Sequence, residues 1–193
     1  SLSLGISNDA THFITSGNNT RNSKIYDTTS TTTTTPQVME FGSQVAISSD
    51  GNILITSAPL YDSDSTSVNV GKIVAFEKSG TGATATWSRK GNPIYFTDPD
   101  RVSGTTGELI GGNSIACSSD GLTLAFNING STHSTLGINV GATQVYYWDT
   151  GSSDWVQKGQ TIWETSVHNV KSVSLSSDGS ILAIGVSGSY YGK

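Results

Sequence analysis

The tetrapeptide Ser-Ser-Asp-Gly occurs three times in this chain of 193 residues, and no other feature constrains the fold as strongly. The copies lie at Ser48–Gly51, Ser118–Gly121 and Ser176–Gly179, each between two short apolar runs, as in VAISSDGNILIT. Asp tolerates left-handed backbone and bonds within its own turn, and Gly supplies positive φ, so the tetrapeptide is typical of a β-hairpin turn. The alternating flanks, rich in β-branched residues, predict the two strands of that hairpin.

A fourth, weaker copy precedes these three. LGISNDATHFITSG aligns with VAISSDGNILITSA, which places Asp9 on Asp50. Repeats of this kind predict a stacked or radial array rather than an ordinary globule. We interpret the recurring turn residues as structural rather than catalytic, because they keep the same neighbours from copy to copy. They are Asp9, Asp50, Gly51, Asp120, Gly121, Asp178 and Gly179.

A second pattern follows each of the two middle copies. GKIVAFEKSGTGATATWSRKGNPI aligns with ATQVYYWDTGSSDWVQKGQTI. The matched pairs are Trp87 and Trp155, Lys90 and Lys158, Gly91 and Gly159, and Ile94 and Ile162. Each of these halves predicts a strand, a Gly/Ser turn and a second strand, so the complete unit contains four strands. Four-stranded units in series are typical of blades, and the sequence predicts an all-β protein with a β-propeller fold.

The repeats divide one propeller-type region, residues 1–193, into units at about 1–40, 41–110, 111–166 and 167–193. The first unit is shortened and carries a threonine tract, Thr31–Thr35, which we interpret as an extended edge strand or a loop. The last unit stops after its second strand, which leaves about three and a half blades, whereas propellers close with at least about four. We therefore expect part of a larger or oligomeric propeller, completed by further chain, by other copies or by another subunit.

The segment FGSQVAISSDGNILITSAP contains Phe41-Gly42 before the turn and Ser57-Ala58-Pro59 after it. It resembles the FG-GAP type of propeller repeat, known from integrin α-subunit head domains, with the second element standing where GAP would be. The segments VYYW and WVQKG extend the resemblance to the tandem repeats of large surface and secreted proteins of marine bacteria, algae and giant viruses. The resemblance implies a propeller used for adhesion or display, and it implies no reaction.

We therefore predict a non-enzymatic structural or adhesion protein that is extracellular: on a cell surface, in secreted matrix or on a virion. We expect it to bind a protein or glycan through inter-strand loops, because these differ most between the copies. Two alternatives remain open, a carbohydrate-binding module that uses exposed aromatic residues and a propeller hydrolase. The candidate ligand-contact aromatics are Tyr147, Trp148 and Trp163, although recurrence at equivalent strand positions favours packing between blades.

Composition narrows the range of partners. Charged residues make up only 13% of the chain, the net charge is −5, and Lys and Arg form no run, so nucleic acid is not an expected partner. No apolar run approaches the length of a membrane span, and we expect no membrane insertion. The single cysteine, Cys117, lies in an apolar stretch and is predicted to be a buried, inert thiol.

Candidate metal and glycan sites are few. The integrin-type resemblance implies a calcium loop between the first two strands, but that loop is trimmed here to Ser-Ser-Asp-Gly, whereas calcium takes about six to eight oxygen ligands. We therefore expect no cofactor, and we interpret the weak metal candidates Asp62 and Asp64 as residues of a solvated loop. Two N-glycosylation sequons, at Asn18 and Asn129, are predicted to lie in the loops after the second strands of their units.

Overall fold

The computed structural model describes residues 42–59, 71–81, 85–102, 109–164 and 169–187, and the strand backbone of residues 3–6, 12–17, 20–27 and 33–34. In this part of the chain all regular structure is β-strand, which confirms the all-β prediction. No helix among the described residues is long and apolar enough to cross a membrane.

The strands form four antiparallel sheets, which follow one another along the chain. The first contains β1 (Ser3–Ile6), β2 (His12–Gly17), β3 (Thr20–Asp27) and β4 (Thr33–Thr34). The second contains β5 (Val45–Ile47), β6 (Ile53–Ala58), β7 (Lys72–Ser79) and β8 (Thr86–Arg89). The third contains β9 (Leu109–Cys117), β10 (Thr123–His133), β11 (Gly137–Asp149), β12 (Asp154–Gln157) and β13 (Ile162–Trp163). Among the described residues, the fourth contains β14 (Asn169–Leu175) and β15 (Leu182–Ser187).

Each sheet is a series of hairpins in chain order, and the turn between its first two strands is the recurring tetrapeptide wherever that turn is described. The threonine tract contributes β4, which pairs with β3, so part of it is an edge strand, as one of the two interpretations proposed. We call the four sheets blades 1 to 4. In the ranges that the structure describes, three blades have four or more strands and the last has two, in agreement with about three and a half repeats.

The outer strand of blade 3 is interrupted. β12 and β13 both pair with β11; between them the Lys158 N–H still donates to the Val145 carbonyl at 2.8 Å, and residues 159–161 lie outside the paired strands. Blade 2 has the same arrangement, because Ile73 forms an isolated bridge with Ile94 beyond the end of β8. The interruption therefore places Gly91 and Gly159 at equivalent points of their blades.

The core lies between successive blades. Between blades 2 and 3, Ile55 and Ile73 pack against Phe126, Tyr146 and Trp155. Strand residues alternate between the two faces of a sheet, so the face of blade 3 that points the other way packs on blade 4. Burial of a side chain of the size of Phe126 contributes about 2 to 3 kcal/mol, and these contacts hold the blades together.

A smaller cluster lies between blades 3 and 4. Ala125, from the opposite face of β10, packs there with Val170 and Val173. Partly buried Val145 of β11 adds to the same cluster from blade 3. Among the described residues, the apolar anchor of blade 4 is therefore formed by its first two strands.

Candidate functional site

The aspartate of each described turn accepts hydrogen bonds from its own turn. Asp120 Oδ1 accepts from the Ser118 hydroxyl at 2.5 Å and from the Leu122 N–H at 2.9 Å. Asp50 and Asp178 make the same two contacts in their turns. These carboxylates therefore fix the backbone of the hairpin, which is the structural role proposed for them.

The same hydrogen bonds favour the ionised form of Asp50 and Asp178. The Ser176 hydroxyl, together with the N–H and hydroxyl of Ser180, lowers the pKa of Asp178 to about 2. At Asp50 partial burial raises the pKa, but the hydrogen bonds from Ser48 and Asn52 outweigh it and leave the pKa below its ordinary value. A general acid needs a raised pKa, so these groups are unsuited to that role. Asp9 lies outside the described residues.

The second serine of each turn joins one blade to the next. The Ser49 N–H donates to the carbonyl of Ser119 at 2.8 Å, and the Ser119 N–H donates to the carbonyl of Ser177 at 2.8 Å. The turns of blades 2, 3 and 4 thus form a continuous backbone ladder. The tetrapeptide recurs because the same residues form the hairpin and also connect it to its neighbour.

Two of the turn glycines are required by this close approach. A Cβ added at Gly121 would lie 2.6 Å from the Cβ of Ile53 in the preceding blade, and one at Gly179 would lie 2.7 Å from the Cβ of Thr123. Both glycines also have φ near +70°, a region that side chains with a Cβ rarely adopt. The glycine is therefore needed for contact between blades as well as for the turn.

The outer strands of blades 2 and 3 meet at Lys90–Asn92, which we call the knob segment. The indole N–H of Trp155 donates to the carbonyl of Lys90 at 2.9 Å. The backbone N–H and the side-chain amide of Asn92 donate to the two carboxylate oxygens of Asp154, at 2.8 and 2.7 Å. Donation from Asn92 lowers the pKa of Asp154, so the carboxylate stays ionised as an anchor between the blades.

Aromatic rings surround the knob segment. Lys90 Nζ lies 4.1 Å from the ring centroid of Trp148 and 3.1 Å from Glu77 Oε1. Trp148 and Trp155 meet edge to face with centroids 5.5 Å apart. A Cβ at Gly91 would lie 2.8 Å from the Trp148 ring, so glycine is what allows this fit.

A cavity of about 240 Å³ opens beside the knob segment. Its lining consists of Asn92, Pro93, Ile94, Tyr95, Thr97, Tyr146, Asp154 and Trp155. Asp154, the carboxylate of this lining, is already bonded to Asn92, and burial raises the pKa of Tyr146. The cavity therefore offers mainly aromatic rings, because its carboxylate and its side-chain amide are bonded to each other, and it holds no pair of free acid and base groups.

Two of the three candidate ligand-contact aromatics take part in contacts between blades. Trp148 lies against the knob segment, as described above. Trp163 packs edge to face on Phe96 of the preceding blade, at 5.6 Å between centroids, and on His133, at 4.7 Å. Tyr147 is exposed. Packing between blades, the interpretation that their recurrence favours, accounts for both tryptophans.

An exposed apolar group at one end of blade 3 was not anticipated from the sequence. β10 and β11 have 11 and 13 residues, whereas β6 and β7 have 6 and 8. At the end of this longer hairpin Leu136 and Ile138 are exposed, the latter by 66%, beside exposed Val102. We call Val102, Leu136 and Ile138 the hairpin tip. The signal in the sequence is the run STLGINV, which places two apolar side chains around a turn glycine.

The prediction that Asn129 lies in a loop is wrong. Asn129 lies within β10 and is buried. Its amide donates to the carbonyl of Val170 at 3.1 Å, and its side-chain oxygen accepts from the Val170 N–H at 3.0 Å. A glycan on Nδ2 has no room there. The error arises because β10 continues beyond the point at which β6 ends, so that the sequon falls in a strand that is longer in this blade.

The remaining candidates are the sequon at Asn18, the metal candidates and the single cysteine. Asn18, Asp62 and Asp64 lie outside the described residues. Within the described ranges, no three His, Cys, Asp or Glu side chains are grouped so that they could hold a metal ion. Cys117 is partly buried, and desolvation, aided by the charge of Asp120, raises its pKa to about 12, so it stays a thiol at neutral pH.

The two segments that carry the FG-GAP resemblance are neighbours in the fold. The Gly42 N–H donates to the carbonyl of Ser57 at 3.1 Å. The Ser57 hydroxyl donates in turn to the carbonyl of Gly111 in blade 3, at 2.9 Å. This motif is therefore also part of the contact between blades.

Solved β-propeller structures are similar to this fold. The β-propeller domain of Cps50 (Swd1) from Myceliophteria thermophila aligns with a TM-score of 0.55 and 13% identity, over 94% of this chain and 49% of that one. Hydrazine synthase from Kuenenia stuttgartiensis aligns with a TM-score of 0.56 and 13% identity, over 97% of this chain and 58% of that one. This chain thus spans about half the length of each.

These alignments confirm the β-propeller fold predicted from the repeat. At 13% identity they show the fold alone. The sequence matches no family model and no curated protein.

Proposed function

We propose that this chain is a non-enzymatic propeller module of a protein displayed on a cell surface, in secreted matrix or on a virion. In this proposal the blades form the scaffold and the connections between strands bind a protein or a glycan. The FG-GAP relationship, and the likeness to repeats of marine and viral surface proteins, belong to the same proposal.

The division of roles among the residues supports it. The residues that recur from repeat to repeat, such as Ser119, Gly121 and Trp155, are engaged in the turns and in the contacts between blades. The hairpin tip belongs to no repeated motif, and its apolar side chains point into solvent. Exposed apolar groups on a rigid scaffold are typical of binding surfaces, and this observation carries the proposal.

The test is a binding screen with a matched pair of variants. The purified chain is titrated onto panels of immobilised glycans and extracellular matrix proteins, with biolayer interferometry as the readout. We expect saturable binding to at least one ligand and a loss of about tenfold or more in Ile138→Asp, since a charge at the centre of an apolar contact is costly. Ile181→Asp, an equally exposed apolar position in blade 4, is the control and should bind as the parent does.

Two results would contradict the proposal. One is the absence of saturable binding to any ligand of either panel. The other is turnover of a panel glycan that single carboxylate substitutions abolish, which would favour the hydrolase alternative. If a glycan binds and Ile138→Asp has no effect while Tyr95→Ala in the cavity weakens binding, the carbohydrate-binding alternative is favoured instead.

A further inference from the structure

One side of blade 3 is exposed where the outer half of blade 4 would lie in a complete blade. Tyr147 of β11 is exposed on the same face as Val145, which packs on blade 4. Val156, directly opposite Tyr147 on β12, is also exposed, and so is Ile162 of β13. We call Tyr147, Val156, Gly159 and Ile162 the open flank.

The equivalent positions of blade 2 are covered. Ile94, which corresponds to Ile162, is 6% exposed beneath blade 3, whereas Ile162 is 42% exposed. A Cβ at Gly91 would meet Asp154, Trp148 and Trp155 within 3.0 Å, while one at Gly159 would meet nothing within 4 Å. Both glycines have nearly the same φ, +72° and +78°. The backbone conformation is therefore the same at the two sites, and only Gly91 is covered by residues of a neighbouring blade.

The hydrogen-bonding groups follow the same pattern. In blade 2 the Lys90 carbonyl accepts from Trp155, and the Asn92 N–H donates to Asp154. The groups that correspond in blade 3 are the carbonyl of Lys158 and the N–H of Gln160. Neither makes a hydrogen bond to another of the described residues. Next to the open flank there is therefore one acceptor, the Lys158 carbonyl, and one donor, the Gln160 N–H. The equivalent groups of blade 2 bind the indole of Trp155 and the carboxylate of Asp154.

The edge of blade 4 lies next to this flank. In the sheets as described, β6 and β10 are paired on both sides, whereas β15 is paired only with β14. An unpaired strand edge presents a row of N–H and C=O groups and is a template for adding a further strand. The open flank and the β15 edge together form a surface with an apolar wall and a polar edge.

We propose that this surface docks a β-hairpin of the repeat's own type, with the chemistry of β11–β12. Its first strand pairs with β15. A tryptophan from its second strand donates to the Lys158 carbonyl and covers Gly159, and an aspartate accepts from the Gln160 N–H. A hairpin of this type would continue the interface that blades 2 and 3 already form through the same residue types. The proposal goes beyond the adhesion role and uses a different surface from the hairpin tip.

The probe is a synthetic peptide with the sequence of residues 137–164, titrated into the full chain. We expect one peptide per chain by isothermal titration calorimetry, and slower hydrogen exchange of the amides of β15. Peptides carrying Trp155→Ala or Asp154→Ala should bind about tenfold more weakly or worse, because each loses one of the two anchoring contacts. The chain variant Ile162→Asp should lose about as much, while the control Ile138→Asp should bind as the parent does.

A second experiment keeps the proposal testable if the free peptide does not fold alone. The same 28 residues are joined to the C-terminus of the chain by a flexible linker, which supplies an effective concentration in the millimolar range. We expect a higher Tm and protection of β15, both reduced by Trp155→Ala in the added segment.

The proposal is overturned if neither arm protects β15, or if the Trp155→Ala and Asp154→Ala peptides bind as well as the parent. A chain that dimerises through the open flank, becomes monomeric with Ile162→Asp and ignores the peptide would identify a second copy as the occupant. That result would also overturn the hairpin proposal. Because Asp154, Trp155 and Ile162 lie outside the hairpin tip, failure here leaves the test of the adhesion role independent.

Discussion

The indole N–H of Trp155 donates a 2.9 Å hydrogen bond to the backbone carbonyl of Lys90, from the outer strand of one blade to the next. The two residues are 65 positions apart in the chain, and the Lys90 side chain lies over the ring of Trp148 beside them. The Trp and Lys-Gly elements of the repeat are thus the two sides of one contact between blades 2 and 3.

Substitution of Trp155 should weaken the fold in two steps. Trp155→Phe keeps the ring and leaves the Lys90 carbonyl without its donor, at a cost of about 1 to 3 kcal/mol in the free energy of unfolding. Trp155→Ala also opens a cavity and should cost about 3 to 5 kcal/mol. Urea denaturation followed by circular dichroism gives both values. Val156→Ala, an exposed neighbour, is the control at about 0.5 kcal/mol or less, and equal losses at the two positions would contradict this account.

The turn glycines should divide into two classes. Gly159→Ala meets only the strain of positive φ, about 1 to 2 kcal/mol. Gly121→Ala meets that strain and the contact with Ile53, which adds about 1 to 3 kcal/mol. Because φ is similar at both, the difference in unfolding free energy isolates the contact between blades. Identical values for the two variants would show that the close contact between Gly121 and Ile53 does not persist in solution.

Stability should fall in acid. The pKa of Asp178 is lowered from 3.8 to about 2 by hydrogen bonds, and those of Asp50 and Asp154 are lowered too. A lowered pKa means that the stabilisation is complete above the unfolded value and is lost as the pH falls through the folded one. Thermal melts should therefore give a constant Tm from pH 7 to about 5 and a falling Tm from about 4 to 2.

The salt dependence of this loss of stability in acid tests whether hydrogen bonds cause it. The shifts of Asp178 come from hydrogen bonds of Ser176 and Ser180 rather than from distant charges, so the acid-induced fall should persist in 0.5 M NaCl, a buffer condition in which surface charges are screened. The variant Asp178→Asn should reduce the fall. A Tm that rises on acidification would mean that these turns do not hold ionised carboxylates.

Asn129 should carry no glycan when the chain is produced in a eukaryotic secretory host. Intact mass and peptide mapping test this directly, and occupancy at Asn129 would contradict its burial in β10. Asn129→Ala should cost about 1 to 3 kcal/mol, since it leaves the N–H of buried Val170 without its acceptor, while the Val170 carbonyl keeps the hydrogen bond from the Asn113 amide. Gln160→Ala, an exposed amide of the outer strand, is the control and should change the stability little.

The turn chemistry made most of the fold predictable. Ser-Ser-Asp-Gly favours one hairpin geometry whatever surrounds it, because Asp120 and Gly121 act on backbone within three residues of themselves. The alternation of the flanking strands then predicted the sheets, whereas the interruption of the outer strands near the aligned residues Gly91 and Gly159 was found only in the structure.

The site was less predictable, and the errors have a common cause. Asn129 was placed in a loop because the lengths of strands vary between blades, and β10 is extended by pairing with β11 that no local pattern announces. The hairpin tip escaped notice for the same reason. Whether an aromatic side chain is buried depends on the neighbouring blade. Strand periodicity alone therefore could not show that Trp148 and Trp163 are packed between blades while Tyr147 is exposed.

The sequence by itself determined the hairpins, their number and their order, because turns and strand alternation are interactions over a few residues. Only the tertiary structure decided which backbone groups and side chains are covered by a neighbouring blade and which are exposed. Gly91 and Gly159 each follow a lysine and have nearly the same φ, yet one lies under Trp148 and the other faces open space. That difference depends on the presence of the next blade, and contacts between blades join residues more than fifty positions apart in the chain.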